Sequence, residues 1–359
     1  MGVTARLPAR DLDYVLGRVA GFITELQGAH LFITGGTGFI GCWLLETFLR
    51  FNEELRLGAA ATVLTRNPDA FRAKAPHLSD AHAVSLLEGD VRTFRYPAYR
   101  FTNIIHAATD SNARLNAEHP SEMFDTVVAG TRHVLDFAVA CGAQRFLFAS
   151  SGAVYGRQPP ELSHVTEDYP GAPDTMNPGS AYGEGKRAAE LLCRLHAEKH
   201  GLETKIARGF AFVGPHLPLD AHYAVGNFIR DGLSGGPIQV NGNGTPYRSY
   251  LHAADLAVWL WTILLRGKSC RPYNVGSERA VTIAELAHTV AAAFSPKPEV
   301  VILGRDMPDT LRERYVPSTG RAASELGLHQ TIDLNEAIAR QISWHRQKED
   351  RRTNTGCGT

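Results

Sequence analysis

The chain has 359 residues, 44% of them hydrophobic and 21% charged, with 37 Lys+Arg against 37 Asp+Glu. A formal net charge of zero leaves no basic excess for a nucleic acid or an anionic membrane surface, and the length suits one large α/β domain plus a smaller one. Five scattered cysteines (Cys42, Cys141, Cys193, Cys270 and Cys357) include no CxxC pair, which argues against a metal site or a disulfide framework and for a reducing compartment. The N-terminal stretch MGVTARLPARDLDYV has no apolar core of a secretory signal, and the longest apolar run, residues 256–265, is too short to span a bilayer. The expectation is a cytoplasmic protein.

Residues 11–27 read as a short amphipathic helix whose role the sequence does not disclose. Strand-like runs follow at 30–34, 61–65, 84–87, 103–106, 145–149 and 204–207. Helix-period segments lie between them, among them 39–49, 123–141 and 181–200. Short apolar strands alternating with helices predict βαβ units and a doubly wound parallel sheet. Beyond residue 212 the segments shorten and Gly and Pro accumulate (GPHLPLD, LSGGPI, NGNGTP). Helices are expected near 226–233, 253–265 and 283–294, with a strand near 273–275. The fold class is therefore α/β: a Rossmann-type domain over 28–212, to which 246–265 returns, and a smaller C-terminal α/β substrate-binding lobe over 213–345. Residues 1–27 form an N-terminal helical extension, and the polar residues 346–359 are expected to be a disordered tail.

The first strand runs directly into HLFITGGTGFIG, with Gly35, Gly38 and Gly41 spaced GxxGxxG before a helix. Glycines there let the backbone turn tightly and approach a pyrophosphate, and the helix N-terminus offers free N–H groups. Thr37, Phe39 and Ile40 belong to the same turn. An NAD site usually has an acid at the end of the second strand to bond the ribose 2′-hydroxyl. This chain has Thr65 and then Arg66, so the cofactor is NAD or NADP with a lean to NADP, unless Arg66 is simply a solvated loop charge. Asp90, with Val91 after it, closes the third strand and either accepts from an adenine amino group or is a turn residue.

Two further segments carry chemistry. FLFASSGAVYG places Ala149, Ser150 and Ser151 at a strand end, and SAYGEGKRAAELL places Tyr182 and Lys186 on one helix face. The Lys charge, with an oxidised nicotinamide, is expected to lower the phenol pKa from its usual value of about 10. Tyr182 then serves as acid and base on an alcohol or sugar hydroxyl, and Ser151 holds the same oxygen.

TGGTGFIG, HAAT, SSGAVYG and YGEGK, in this order, resemble the extended short-chain dehydrogenase/reductase family, and within it the nucleotide-sugar epimerase/dehydratase branch. ARGFAFVGP, the stretch GNFIRDGLSGGPIQVNGNGTPYRSYLHAADLA and YNVGS fit as well, so the resemblance covers residues 28–345. It implies catalytic Ser151, Tyr182 and Lys186, and a cofactor lying over His106, Ala107 and Ala108. It also implies a nucleoside-diphosphate sugar held by Thr109, Ser151, Gly152, Ala153, Asn227 and Arg248, with Arg312 or Arg314 as a second phosphate contact. A homodimer formed through helices 123–141 and 181–200 is implied too.

The departures narrow the reaction. Family 4,6-dehydratases carry an Asp-Glu pair after the catalytic Ser/Thr, and decarboxylases a Glu at the second place; here these are Gly152 and Ala153, which move no proton. An Asn expected before VGP is Ala211. The first expectation is a nucleotide-sugar epimerase working through a transient keto-sugar. The alternatives are an NADPH-dependent 4-keto-sugar reductase, a dehydratase, and a non-catalytic dinucleotide-binding protein, which the intact Ser-Tyr-Lys set disfavours.

Overall fold

Seven parallel strands lie at the centre of the computed structural model, which describes residues 4–108, 113–221, 223–304 and 312–355. The first six are β1 (His30–Thr34), β2 (Ala60–Thr65), β3 (Val84–Glu88), β4 (Asn103–His106), β5 (Arg145–Ser151) and β6 (Glu203–Gly209). All six expected runs are strands, with ends moved outward by at most two residues. β1 and β4 are buried along nearly their whole length, as apolar strands covered on both faces must be. The sheet order is Pro272–Val275, β6, β5, β4, β1, β2, β3. Chain direction across the sheet reverses between β4 and β1, and open α/β sheets bind ligands outside the carboxyl ends of the strands at such a switch.

Pro272–Val275, assigned from sequence to the C-terminal lobe, is instead the seventh strand, parallel to β6. Of residues 246–265, expected to return to the Rossmann domain, Tyr247–Arg248 pairs with Val281–Thr282 in the smaller lobe, whereas the helix Ala253–Arg266 packs on the sheet and is buried at every position from Ala253 to Leu265. A helix that is apolar all round needs cover on every side. The sheet supplies one side through β5 and β6; α1 (Ala9–Ile23) and α2 (Phe39–Leu55) supply the other.

That contact gives the N-terminal extension its role. Val15, Val19 and Ile23 form the buried stripe of α1. The Tyr14 hydroxyl donates to Asp255 Oδ1 at 2.5 Å, and Asp255 Oδ2 accepts from the amides of Thr331 and Ile332 at 3.0 and 2.9 Å. Asp11, fully buried, pairs with Arg340 at 2.5 Å, so the first helix is fastened to the last. That last helix, Leu334–Thr355, runs on through residues 346–355, where the polar sequence led us to expect a disordered tail.

The smaller lobe combines helices Ala224–Leu233 and Ile283–Ala292 with a three-stranded sheet ordered Val281–Thr282, Tyr247–Arg248, Arg314–Tyr315. Parallel pairing of Tyr250–His252 with Ala211–Val213 joins the lobe to the end of β6.

Candidate active site

A cavity of about 1130 Å³ opens at the carboxyl ends of the strands, between sheet and lobe. Its first half is made largely of backbone. Gly35 leaves β1 with φ +72°, and a Cβ there would lie 2.4 Å from the carbonyl oxygen of Ala107. Only glycine admits this approach of the loops after β1 and β4. Gly41 is not on the cavity wall: its Cβ would stand 2.3 Å from the Gly35 carbonyl oxygen, so it lets α2 pack against the turn. Gly38 caps α2 with no side chain and faces the cavity, where a Cβ would occupy the space of a ligand. Such a cradle fits a dinucleotide pyrophosphate.

Thr37, Phe39, Ile40, Thr65, Arg66, Asp90, Val91, Ala107, Ala108 and Ala149 all line this half. Asp90 also binds Arg92 through both oxygens, at 2.9 and 3.0 Å, and this pairing holds its carboxyl below the usual range, with Arg66 adding a weaker pull. His106 lies beneath the wall, buried. It bonds Thr34 Oγ1 at 2.7 Å and Thr131 Oγ1 at 3.0 Å, and burial pushes its pKa down to about 3. It is thus a neutral brace for the Ala107–Ala108 turn, and Thr34 Oγ1 also accepts from the Ala108 amide at 3.1 Å.

The second half is made of side chains. Ser150 and Ser151 point apart, as successive strand residues do. Both residues touch the cavity, but the Ser150 hydroxyl donates to Glu190 at 2.5 Å, whereas the Ser151 hydroxyl accepts from the Ala153 amide at 3.1 Å. Tyr182 and Lys186 lie one turn apart on the helix Ala181–His200. Asn116 fixes the start of that helix, accepting from the Tyr182 amide at 3.1 Å and donating to the Gly179 carbonyl at 2.8 Å.

The electrostatics differ from the expected lowering of the phenol pKa. Burial raises the Tyr182 pKa, opposed only by a hydrogen bond with Ser151. Lys186, 2% exposed, donates to the Ala149 carbonyl at 2.6 Å and lies 4.7 Å from the Phe148 ring centroid, with the Tyr182 ring farther off at 5.7 Å. Burial pushes its own pKa down to about 7. In the protein alone, therefore, the pair is a neutral phenol beside a weakened ammonium.

Of the substrate candidates, Ser151, Ala153 and Arg248 reach the cavity. Gly152 lies behind Ser151, with no room for a Cβ: it would meet the Phe210 ring at 2.7 Å and the Tyr315 hydroxyl at 2.8 Å. Asn227 accepts from Arg230 at 3.4 Å and is not on the wall. Neither is Arg312, which donates to the Tyr247 hydroxyl, nor Arg314, stacked 4.2 Å from the Tyr247 ring centroid. Thr109 lies outside the described residues.

Among the wall residues that sequence reasoning missed, three contribute polar groups of note. Asn116 and Lys74, whose Nζ donates to the Thr37 carbonyl at 2.7 Å, belong to no motif. Tyr315, 164 positions from Ser151, has its hydroxyl 3.5 Å from Ser151 Oγ. Nothing in RERY announces that contact.

A glycine cradle at the switch of a doubly wound sheet, joined to a Ser-Tyr-Lys set, defines a dinucleotide-dependent enzyme of the short-chain dehydrogenase/reductase type. The profile of the NAD dependent epimerase/dehydratase family matches residues 31–276, and the chain belongs to that family. It is 31% identical over 310 residues to UDP-glucuronic acid decarboxylase 6 of Arabidopsis thaliana, covering 86% of each chain. It is 27% identical over 334 residues to UDP-glucuronic acid decarboxylase 1 of Danio rerio, covering 93% of this chain and 76% of the other. Among solved structures, the UDP-glucose 4-epimerase of Thermotoga maritima shares the fold with a TM-score of 0.75 at 19% identity, covering 89% of this chain and 99% of that one. The dTDP-glucose 4,6-dehydratase DesIV of Streptomyces venezuelae, with NAD bound, also gives 0.75, at 23% identity and coverage of 90% and 98%.

Proposed function

We propose that the enzyme epimerises a nucleoside-diphosphate sugar through a transient keto-sugar. The observation that carries this reading is the composition of the sugar end. Ser151, Tyr182 and Tyr315 present hydroxyls there, whereas the only carboxylates among the described wall residues are Asp90 and Glu122, both in the neighbourhood of Arg92. Hydroxyls suit proton exchange at a sugar oxygen; removal of a carbon-bound proton or of water calls for a stronger base and acid.

A nicotinamide dinucleotide, once bound, supplies a hydride acceptor and later a donor. Tyr182 acts from its phenolate, which a charged Lys186 and an oxidised nicotinamide nearby favour: it takes the proton of the sugar hydroxyl and returns it after the keto-sugar has turned over. Ser151 holds the reacting oxygen, and Arg248 pairs with the nucleotide's phosphates. Burial holds the Lys186 pKa down to about 7, and a hydrogen bond to a cofactor ribose would favour its charged form.

The second reading is an NADPH-dependent 4-keto-sugar reductase, favoured by Thr65, Arg66 and Lys74 on one stretch of wall without an acid from β2. The relatives named as UDP-glucuronic acid decarboxylases make UDP-sugars the first ligands to try, but Gly152 and Ala153 lack the carboxylate that reaction uses in the family. To test the choice, the purified protein is denatured and the released dinucleotide identified by chromatography and mass spectrometry. Near-stoichiometric cofactor supports a closed redox cycle and hence the epimerase. Cofactor-free protein that binds NADPH more tightly than NADH overturns it in favour of the reductase.

We also propose a homodimer in a reducing compartment. Helices Pro120–Ala140 and Ala181–His200 pack together and expose Phe124, Leu191 and Leu195, and Cys42, Cys141, Cys193 and Cys270 are free thiols. A monomer by light scattering at micromolar concentration would count against the dimer. No described helix is long and apolar enough to cross a membrane.

A further inference from the structure

Two phenols, not one, flank Ser151. Tyr182 reaches it from the helix Ala181–His200, and Tyr315 from the small lobe sheet, its hydroxyl 3.5 Å from Ser151 Oγ and 3.4 Å from the Gly209 carbonyl. Tyr315 lines the cavity, its ring packs tilted against Phe210 with centroids 4.6 Å apart, and the Arg248 guanidinium lies 6.0 Å from its centroid. The hydroxyl fits only because residue 152 is glycine, since a Cβ there would come within 2.8 Å of it. Where the motif of family 4,6-dehydratases has an Asp, this chain has a glycine that leaves room for a phenol from another part of the chain.

Resting on the reading above, we propose that Tyr315 is a further catalytic residue, whose hydroxyl donates a hydrogen bond to the reacting sugar oxygen as that oxygen becomes a carbonyl. The oxygen gives its proton to the Tyr182 phenolate, and its carbon gives hydride to the oxidised nicotinamide of the bound dinucleotide. No bond to Tyr315 forms or breaks; its O–H turns from the Gly209 carbonyl to the new acceptor. A phenol is a stronger donor than the serine hydroxyl beside it, and burial keeps this one protonated. Donors already aimed at an oxygen that gains negative charge lower the barrier without reorganisation. A neutral donor also stabilises a keto-sugar without attacking its neighbouring C–H bonds, in keeping with oxidation and reduction at a single carbon.

Isotope-edited infrared spectroscopy tests this without relying on turnover. The probe is UDP-4-keto-6-deoxyglucose labelled with ¹³C at C4, bound to the wild type, Tyr315→Phe and Tyr182→Phe. Binding to the wild type should lower the carbonyl stretching frequency, and Tyr315→Phe should return it toward the free value. An equal downshift in wild type and Tyr315→Phe overturns the role of Tyr315 alone. A wild type that does not bind the keto-sugar overturns the nucleotide-sugar reading, and this inference with it.

With the native substrate, Tyr315→Phe should lower kcat about 100-fold, the effect of losing one such donor, while leaving KM within about threefold.

Discussion

The two halves of the cavity are built on different principles. The cofactor half is made mostly of backbone: Gly35 and Gly38, the turn after β4 and the capless start of α2, all close in sequence or adjacent in the sheet. The sugar half is made of side chains from distant segments, Ser151 and Tyr182 from the sheet domain and Arg248 and Tyr315 from the lobe over it. A backbone site tolerates little change in shape and much change in neighbouring side chains. A side-chain site is the reverse, since each group can be removed singly while the scaffold stays.

The largest expected effect breaks the sugar half alone. Tyr182→Phe removes the one group placed to accept the sugar proton, and turnover should fall at least about 1,000-fold, within the range for lost acid–base catalysis. Dinucleotide affinity should stay within about threefold, because the cradle is backbone. Stopped-flow turnover and calorimetric titration check the pair of outcomes, and joint loss of both would show that the halves are not separable.

Gly35→Ala is the complementary break. The new Cβ would meet the Ala107 carbonyl oxygen at 2.4 Å on a residue with φ +72°, so both turns of the cradle must shift. Dinucleotide affinity should fall about 100-fold, by analogy with other lost close approaches, and the melting temperature should drop with it. Wild-type affinity in this variant would mean that the cradle is not where the pyrophosphate lies.

The same division explains what the sequence discloses. The strand, glycine turn and helix of residues 30–41 are contiguous, so local periodicity and one motif locate them. Ser151, Tyr182 and Lys186 are legible because strand end and helix face each have a local signature. Tyr315 has none: it lies on a two-residue strand, and its meaning depends on a glycine 163 positions earlier. The role of residues 9–23 was hidden for a similar reason, since the partner of α1 is a helix more than 200 positions away. Pro272–Val275 looked like part of the lobe because its neighbours in the chain are; parallel pairing with β6 is a non-local fact.

Lys186 joins the two halves, and pH reveals its state. Burial lowers its pKa from 10.5 to about 7 in the folded, cofactor-free protein. Between these values the unfolded chain binds more protons than the folded one, so this group makes stability rise with pH over that window. Below about pH 7 both states are protonated and the cost of burying the charge is full. The melting temperature of wild type minus that of Lys186→Met should therefore climb from pH 7 to pH 10. A difference independent of pH would mean that the Ala149 carbonyl and the Phe148 ring keep the ammonium charged throughout.

The smallest effect sharpens the cofactor half, where one side chain is expected to matter after all. β2 ends in Thr65, whose hydroxyl accepts from the Asn67 amide at 3.3 Å, and no acid follows it to claim a ribose 2′-hydroxyl. Arg66 and Lys74 line the same stretch, but their positions differ in kind. Lys74 already gives one of its three donors to the Thr37 carbonyl, so replacing it disturbs the glycine turn and should weaken NADH and NADPH alike. Arg66 has no such tie to the turn, and its charge distinguishes a phosphate from a hydroxyl. Arg66→Ala should weaken NADPH about tenfold and leave NADH unchanged, as read by titration of nicotinamide fluorescence. Equal weakening of both cofactors would place Arg66 with Lys74 as support for the turn, and the discrimination would then have to come from the backbone itself.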